Sequence, residues 1–191
     1  MQKVKYFLFF LLTITASACG GEKEAEQISA AYAVIREPEI SPGDSVPAPT
    51  GEVILTLTGN ITTTNVGDEL QFDMETIERL GVVTYRVYDK QAEGREVFFE
   101  GVLLKQLLAV AGLDPEVTAL NAVALNDYAV EIPITDVENY PVLLATSVER
   151  ERMTVERYGP TRIIYPYHAF ALDETVYDPR WIWQLATIEL P

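Results

Sequence analysis

Val97-Phe98-Phe99-Glu100-Gly101-Val102-Leu103-Leu104-Lys105-Gln106-Leu107-Leu108-Ala109-Val110-Ala111-Gly112 changes its hydrophobic period midway. Val97-Phe98-Phe99 reads as a β-strand. Leu104, Leu107, Leu108 and Ala111 then recur at i, i+3, i+4 and i+7, which is one face of a helix; Gly112 stops it and Pro115 lies beyond. Upstream, residues 82–88 predict a strand that reverses through a turn at 91–94 to meet this one. Asp73 predicts the cap of a short helix with Met74, Ile77 and Leu80 on one side and Gly81 as its stop. Residues 53–58 predict a strand with Val53, Leu55 and Leu57 on one face. Downstream, strands are expected at 119–125, 128–132, 142–148, 162–165 and 182–190, with Thr135 and Glu138 forming a capping box for a brief helix. The repeated Val-Glu-Arg at 148–150 and 155–157 reads as two arms of a hairpin. Residues 52–191 are therefore expected to form one α+β domain, a mixed or antiparallel β-rich fold with two or three short helices.

Outside that domain the sequence reads as an address and a spacer. Lys3 and Lys5 precede an apolar run over 6–15, too short to span a bilayer, and Ala16-Ser17-Ala18 leads into Cys19. Residues 1–18 are expected to be a signal peptide. Ala16-x-Ala18 suits ordinary signal peptidase, whereas small residues before a lone Cys resemble a bacterial lipobox, and lipidation gives the only Cys a purpose. The expected location is the periplasm-facing cell envelope, lipid-anchored, with Gly20 after the Cys favouring the outer membrane; a soluble periplasmic or secreted form is the alternative. Residues 19–51 read as the lipidated Cys and a tether, because Pro38, Pro42, Pro47 and Pro49 defeat both helix and central strand. A short helix over 24–34 is the one element that could form there.

Composition excludes several function classes. The 191 residues carry a net charge of −15, which argues against nucleic-acid binding. Removing residues 1–18 takes away Lys3 and Lys5 and no acid, leaving 12 basic against 29 acidic residues, net −17. Such a surface is repelled by anionic headgroups, so a membrane association would need the lipid. One Cys and one His rule out a Cys-cluster zinc site and the usual multi-His metal sites, so no metal ligands are assigned. There is no Gly-x-Gly-x-x-Gly, no Gly-Lys-Ser/Thr phosphate loop and no Gly-x-Ser-x-Gly elbow.

The candidate chemistry lies where the charge reverses. Residues 150–170 hold Arg150, Arg152, Arg157 and Arg162 against Glu151 and Glu156, together with His168. Arginine forks suit phosphate or carboxylate, so this island is a candidate anion site. For Arg150, Arg152 and Arg157 a solvated strand face with cross-strand ion pairs is the preferred reading, which leaves Arg162, beside the Gly159-Pro160 turn, as the candidate. Tyr158, Tyr165, Tyr167, Phe170, Tyr177, Trp181 and Trp183 crowd the same region, as a wall for a flat heteroaromatic ligand or as a core edge. His168 has no sequence partner that would make it a general base, and a structural hydrogen bond is its alternative. Asn126-Asp127-Tyr128 reads as a hairpin turn; if it opens toward Arg162, Asn126 and Tyr128 add donors. The candidate ligand-binding set is Arg162, His168, Tyr167, Asn126 and Tyr128, and no catalytic residue is assigned.

Several segments together resemble the oxidoreductase molybdopterin-binding domain family, the sulfite-oxidase-type fold. They are Leu57-Thr58-Gly59 with Phe72-Asp73, Phe99 through Leu108, Asn126 through Pro133, Leu143-Leu144-Ala145, Gly159 through Pro166, and Trp181 through Leu185 with Ile188. In order and spacing they cover nearly all of 53–190 and look like the compact, single-domain exported branch. The resemblance implies a molybdopterin-type cofactor and oxygen-atom transfer, with Arg162 the best match for holding the pterin's phosphate. Catalytic members bind molybdenum through a cysteine that precedes the segment matching 99–108. Residues 82–100 contain no Cys, and Tyr85 and Asp89 are the nearby oxygen donors. No Cys-ligated molybdenum and no sulfite-oxidase-type turnover are therefore expected. Two functions stay open: a molybdopterin-binding-type domain, or a noncatalytic envelope module for a small anionic ligand or a protein partner.

Overall fold

The structure is a computed structural model and describes residues 19–191, so the expected signal peptide lies outside the described residues. Two sheets share one hydrophobic core. The first, six-stranded and antiparallel, is built on β4 (Val82–Asp89) and β5 (Arg95–Leu103), with β1 (Ala33–Arg36) outside β4. Beyond β5 follow β8 (Leu143–Val148) and β10 (Arg162–Ile164), with the two-residue β9 (Glu151–Arg152) also on β8. The second sheet runs β3 (Leu70–Phe72), β2 (Leu55–Gly59), β11 (Leu185–Leu190), β6 (Ala119–Ala124), β7 (Ala129–Pro133). Only β2 and β11 in it are parallel. The helices are α1 (Cys19–Ala30), α2 (Met74–Glu78), α3 (Leu104–Ala111), α4 (Ile134–Asn139) and α5 (Glu174–Tyr177), with short 3-10 turns at 155–157 and 178–180. This is the expected α+β, β-rich architecture; among the described residues, 52–191 carries four helices where two or three were expected, and α1 precedes it.

The strand-to-helix stretch behaves as its pattern dictates. Val97, Phe99, Leu104, Leu107, Leu108 and Ala111 are buried, and Gly112 closes α3 in the left-handed region at φ 67°. Gly101 sits at a bulge where β5 meets β8, and a Cβ there would collide with the Leu144 carbonyl oxygen. Asp73 caps α2, its carboxylate accepting from Thr76 N at 2.8 Å.

Four local expectations are corrected. The Thr135 capping box does not form: α4 starts at Ile134 with Pro133 as its cap residue, two residues before the expected cap, so Thr135 already lies inside the helix. The two Val-Glu-Arg motifs are not paired arms. The chain turns back at Glu149 and Arg150, both at positive φ, and residues 155–157 form a 3-10 turn. Val53 leaves the buried face that Leu55 and Leu57 keep, because β2 begins only at Leu55. The Pro-rich segment is extended but is not free. Residues 33–36 pair with β4, Ala31, Ile40 and Val46 are buried, and Glu39 and Ile40 donate backbone hydrogen bonds to the Arg79 carbonyl. Proline prevents helix and central strand, yet leaves the apolar residues between prolines able to pack.

Candidate functional site

The period-two alternation of β4 sends Val83, Tyr85, Val87 and Asp89 into the interior. A carboxylate on that face must be paired, and β10 delivers Arg162 to it. Arg162 Nη1 donates to Asp89 Oδ2 at 3.0 Å and Nη2 to Oδ1 at 3.3 Å, with the two side chains 2% and 0% exposed. Asp89 Oδ1 also accepts from the Gln91 and Ala92 amides, tying the turn after β4 to the ion pair. The guanidinium lies 5.2 Å from the Phe99 ring centroid and 5.7 Å from that of Tyr158. Arg162 is thus an interior group sandwiched between aromatics, not an open phosphate hook. Its Nε and the Trp181 Nε1 are buried donors with no acceptor among the described residues. Tyr85 donates its hydroxyl to the Ile164 carbonyl at 2.8 Å, and burial pushes its phenol well above the ordinary range.

The remaining candidates divide between two places. Asn126 and Tyr128 lie at the β6–β7 hairpin, where Asn126 Oδ1 accepts from Tyr128 N at 3.2 Å and Asp127 takes φ 64°. They line a cleft of about 500 Å³ with Gln91, Asp178, Trp181 and Trp183. The Tyr128 hydroxyl donates across it to the Pro179 carbonyl at 3.0 Å. Tyr167 stands behind this wall, its ring edge-on to Trp181 at 5.8 Å and its hydroxyl donating to Asp178 Oδ1 at 2.6 Å. Burial, then the hydrogen bond to that carboxylate, raises its pKa, so the phenol is a neutral donor. His168 belongs elsewhere. Its ring stacks on Tyr85 at 4.8 Å and its Nε2 is 2.8 Å from the Ala31 carbonyl oxygen, pinning the segment that follows α1.

The set of five is therefore split. Asn126 and Tyr128 share a cleft, Tyr167 supports its wall, Arg162 is enclosed beneath, and His168 holds the N-terminal segment. Asp178 and Gln91 are the cleft residues that the sequence reading missed. The signal for Asp178 was its place in Tyr177-Asp178-Pro179-Arg180-Trp181, a polar turn inside the aromatic cluster. Two other arginines of the island are engaged too. Arg152 forms a forked pair with Glu78, and Arg157 lies within 3.3 Å of Glu151 and 3.6 Å of Glu93. A hollow of about 630 Å³ over Arg36, Glu39, Glu78, Arg79 and Arg152 is larger than the cleft, but its arginines face carboxylates.

A family model described as oxidoreductase molybdopterin binding domain matches residues 61–182. No curated protein matches the chain. Among solved structures it is similar to the sulfane dehydrogenase SoxCD from Paracoccus pantotrophus, at TM-score 0.54 and 18% identity over 71% of this chain. It spans only 37% of that chain, so the likeness is one of fold. The match of the family model runs from just after β2 to the cleft wall at Ile182, well over half of the chain, and the chain belongs to the oxidoreductase molybdopterin binding domain family.

Proposed function

We propose that this chain is a binding member of its family, one that receives a flat heteroaromatic ligand in the Asn126–Tyr128–Trp183 cleft without sulfite-oxidase-type turnover. The observation that carries this is that Tyr85 and Asp89 are both already bonded, Tyr85 to the Ile164 carbonyl and Asp89 to Arg162. Residues 82–100 offer no thiol, and the two buried oxygen donors of that stretch, Tyr85 and Asp89, are spent on interior partners. These residues do not fit a thiolate-bound molybdenum, whose soft ligand neither a paired carboxylate nor a bonded phenol reproduces. A pterin ring held by hydrogen bonds and stacking is compatible with the cleft walls, and a molybdopterin-type cofactor is what the family suggests. Support for a small anionic ligand is weaker, because Asp89 already neutralises Arg162.

Elemental and pterin analysis of protein made in a cofactor-competent host tests this reading, alongside an oxygen-atom-transfer assay. The expected result is no stoichiometric molybdenum and no turnover. Stoichiometric molybdenum with robust oxygen-atom transfer would overturn it.

The proposal extends to location: an exported protein, lipid-anchored at Cys19 and facing the periplasm, at the outer membrane. Helix α1 begins at Cys19, and Gln27 on it bonds to the Ala169 carbonyl at 3.0 Å. A lipid on Cys19 would thus hold the domain close to the bilayer rather than on a long tether. Cys19→Ser should give a soluble form or an unprocessed precursor. Ordinary cleavage leaving an unmodified Cys19, read by intact mass, would count against the anchor.

A further inference from the structure

We infer that the cleft selects a planar organic cation, and so takes a ligand of opposite charge to a phosphate-bearing cofactor; this rests on the reading of the chain as a binding member. The charges around the cleft decide it. Asp178 is the one formally charged side chain on its lining, at 35% exposure. Its Oδ1 accepts from Tyr167, and its Oδ2 faces Lys90 Nζ at 4.0 Å. Lys90 is in closer contact with Glu174, so the three together leave one negative charge. The neighbouring arginines do not offset it. Arg162 is enclosed with Asp89, and Arg180 Nη1 is 2.6 Å from Asp136 Oδ2. An entering phosphate would meet a carboxylate and no cationic side chain on the cleft lining, inside a protein of net charge −15.

The walls suit the same guest. Tyr128 and Trp183 are accessible aromatic rings that attract a cation through the ring quadrupole, with Trp181 buried behind them. They are also pre-arranged. The Tyr128 hydroxyl is bonded to Pro179, Trp183 stacks on Tyr158 at 4.6 Å, and Trp181 is held edge-on by Tyr167 and Phe99. Preorganised rings lose little freedom on binding, so a delocalised cation could lie between them with its charge toward Asp178.

The chain has two tryptophans, and both line this cleft, so intrinsic fluorescence reports on it directly. The full chain would be titrated with N-methylquinolinium, a planar cation, and with naphthyl phosphate, a planar anion of similar size. Saturable quenching by the cation is expected, at least about tenfold tighter than by the phosphate ester and weakened by added salt. Asp178→Asn should weaken it about tenfold, while Asp178→Glu, which keeps the charge, should retain most of it even if loss of the Tyr167 bond lowers stability. Linear collisional quenching, equal affinity in Asp178→Asn, or tighter binding of the phosphate ester would each overturn the inference. Metal and pterin analysis of the same preparation separates the two claims. Molybdenum-free protein that ignores the cation refutes only this inference, whereas turnover with bound molybdenum refutes the binding reading itself.

Discussion

Arg162 shows how one side chain can be picked out correctly by its surroundings and still be given the wrong task. The sequence reading expected Arg162→Ala to weaken a phosphate-bearing ligand. The structure transfers the effect to stability, because the guanidinium and Asp89 are both buried and neutralise one another. Removing one partner leaves an uncompensated interior charge, so Arg162→Ala should cost about 3–5 kcal/mol. Replacing both, as Arg162→Met with Asp89→Leu, should cost less than the sum of the single changes. Urea midpoints of the two singles and the double would show it; additive losses would mean that the pair is not coupled. The partner was hard to foresee. Asp89 lies 73 residues away and is one acid among 29. Its only signal was position, at the inward end of the Val83-Tyr85-Val87 alternation, where a carboxylate demands a cation. His168 gave still less notice, since its bond runs to a backbone carbonyl and no side-chain pattern announces that.

Helix α2 carries a pH dependence that belongs to the element and not to one contact. Asp73 accepts from Thr76 N at its own helix start and from Thr50 N and Gly51 N at 2.8 and 2.9 Å, so one carboxylate clamps the 50–51 bend to α2. Burial alone would raise its pKa, but these backbone donors and the Thr76 hydroxyl outweigh it and hold the carboxyl well below the usual range. Glu78 at the end of α2 is also depressed: burial opposes, and Arg152, Thr146 and Arg36 prevail. Both folded pKa values lie below the unfolded ones, so the stabilisation is complete above about pH 5 and is lost as pH falls through the folded values. Asp73→Ala should cost about 2–3 kcal/mol at neutral pH and flatten the acid limb of a stability-against-pH curve. An unchanged acid limb would show that the clamp is not what titrates. At this scale much was legible. The Asp73 cap and the α3 stripe were read because a helix writes its cap and its face locally. Strand β1 was not, because its four residues are all exposed and form a strand only by pairing with β4. Strand β3 is three residues long, too short for alternation to declare itself.

Two sheets in one chain need not make one cooperative unit, but here hydrogen-bond and packing links cross where the site lies. Thr161 donates its hydroxyl to the Leu185 carbonyl at 2.6 Å, Leu185 N returns to the Thr161 carbonyl, and Ile163 N bonds to the Ile182 carbonyl. A bridge between Arg162 and Trp183 lies between these contacts, so β10 of the first sheet and the approach to β11 of the second are stitched residue by residue. A single buried cluster draws on both sheets and on the N-terminal segment, including Leu57, Phe99, Leu144, Ile188, Ile40 and Val46. Unfolding either sheet alone would expose the inner face of the other and break the bonds that tie Thr161 and Ile163 to Leu185 and Ile182. Both costs fall on any half-folded state, which predicts a single transition although the chain exceeds the size at which two-state behaviour is usual. Fluorescence of Trp181 and Trp183 reports the junction, and far-UV circular dichroism reports both sheets. Their urea midpoints should coincide, and the Arg162→Ala shift should appear equally in both signals. A dichroism curve with two steps, only one following the tryptophans, would mean that the sheets unfold separately and that the cleft sits on a hinge.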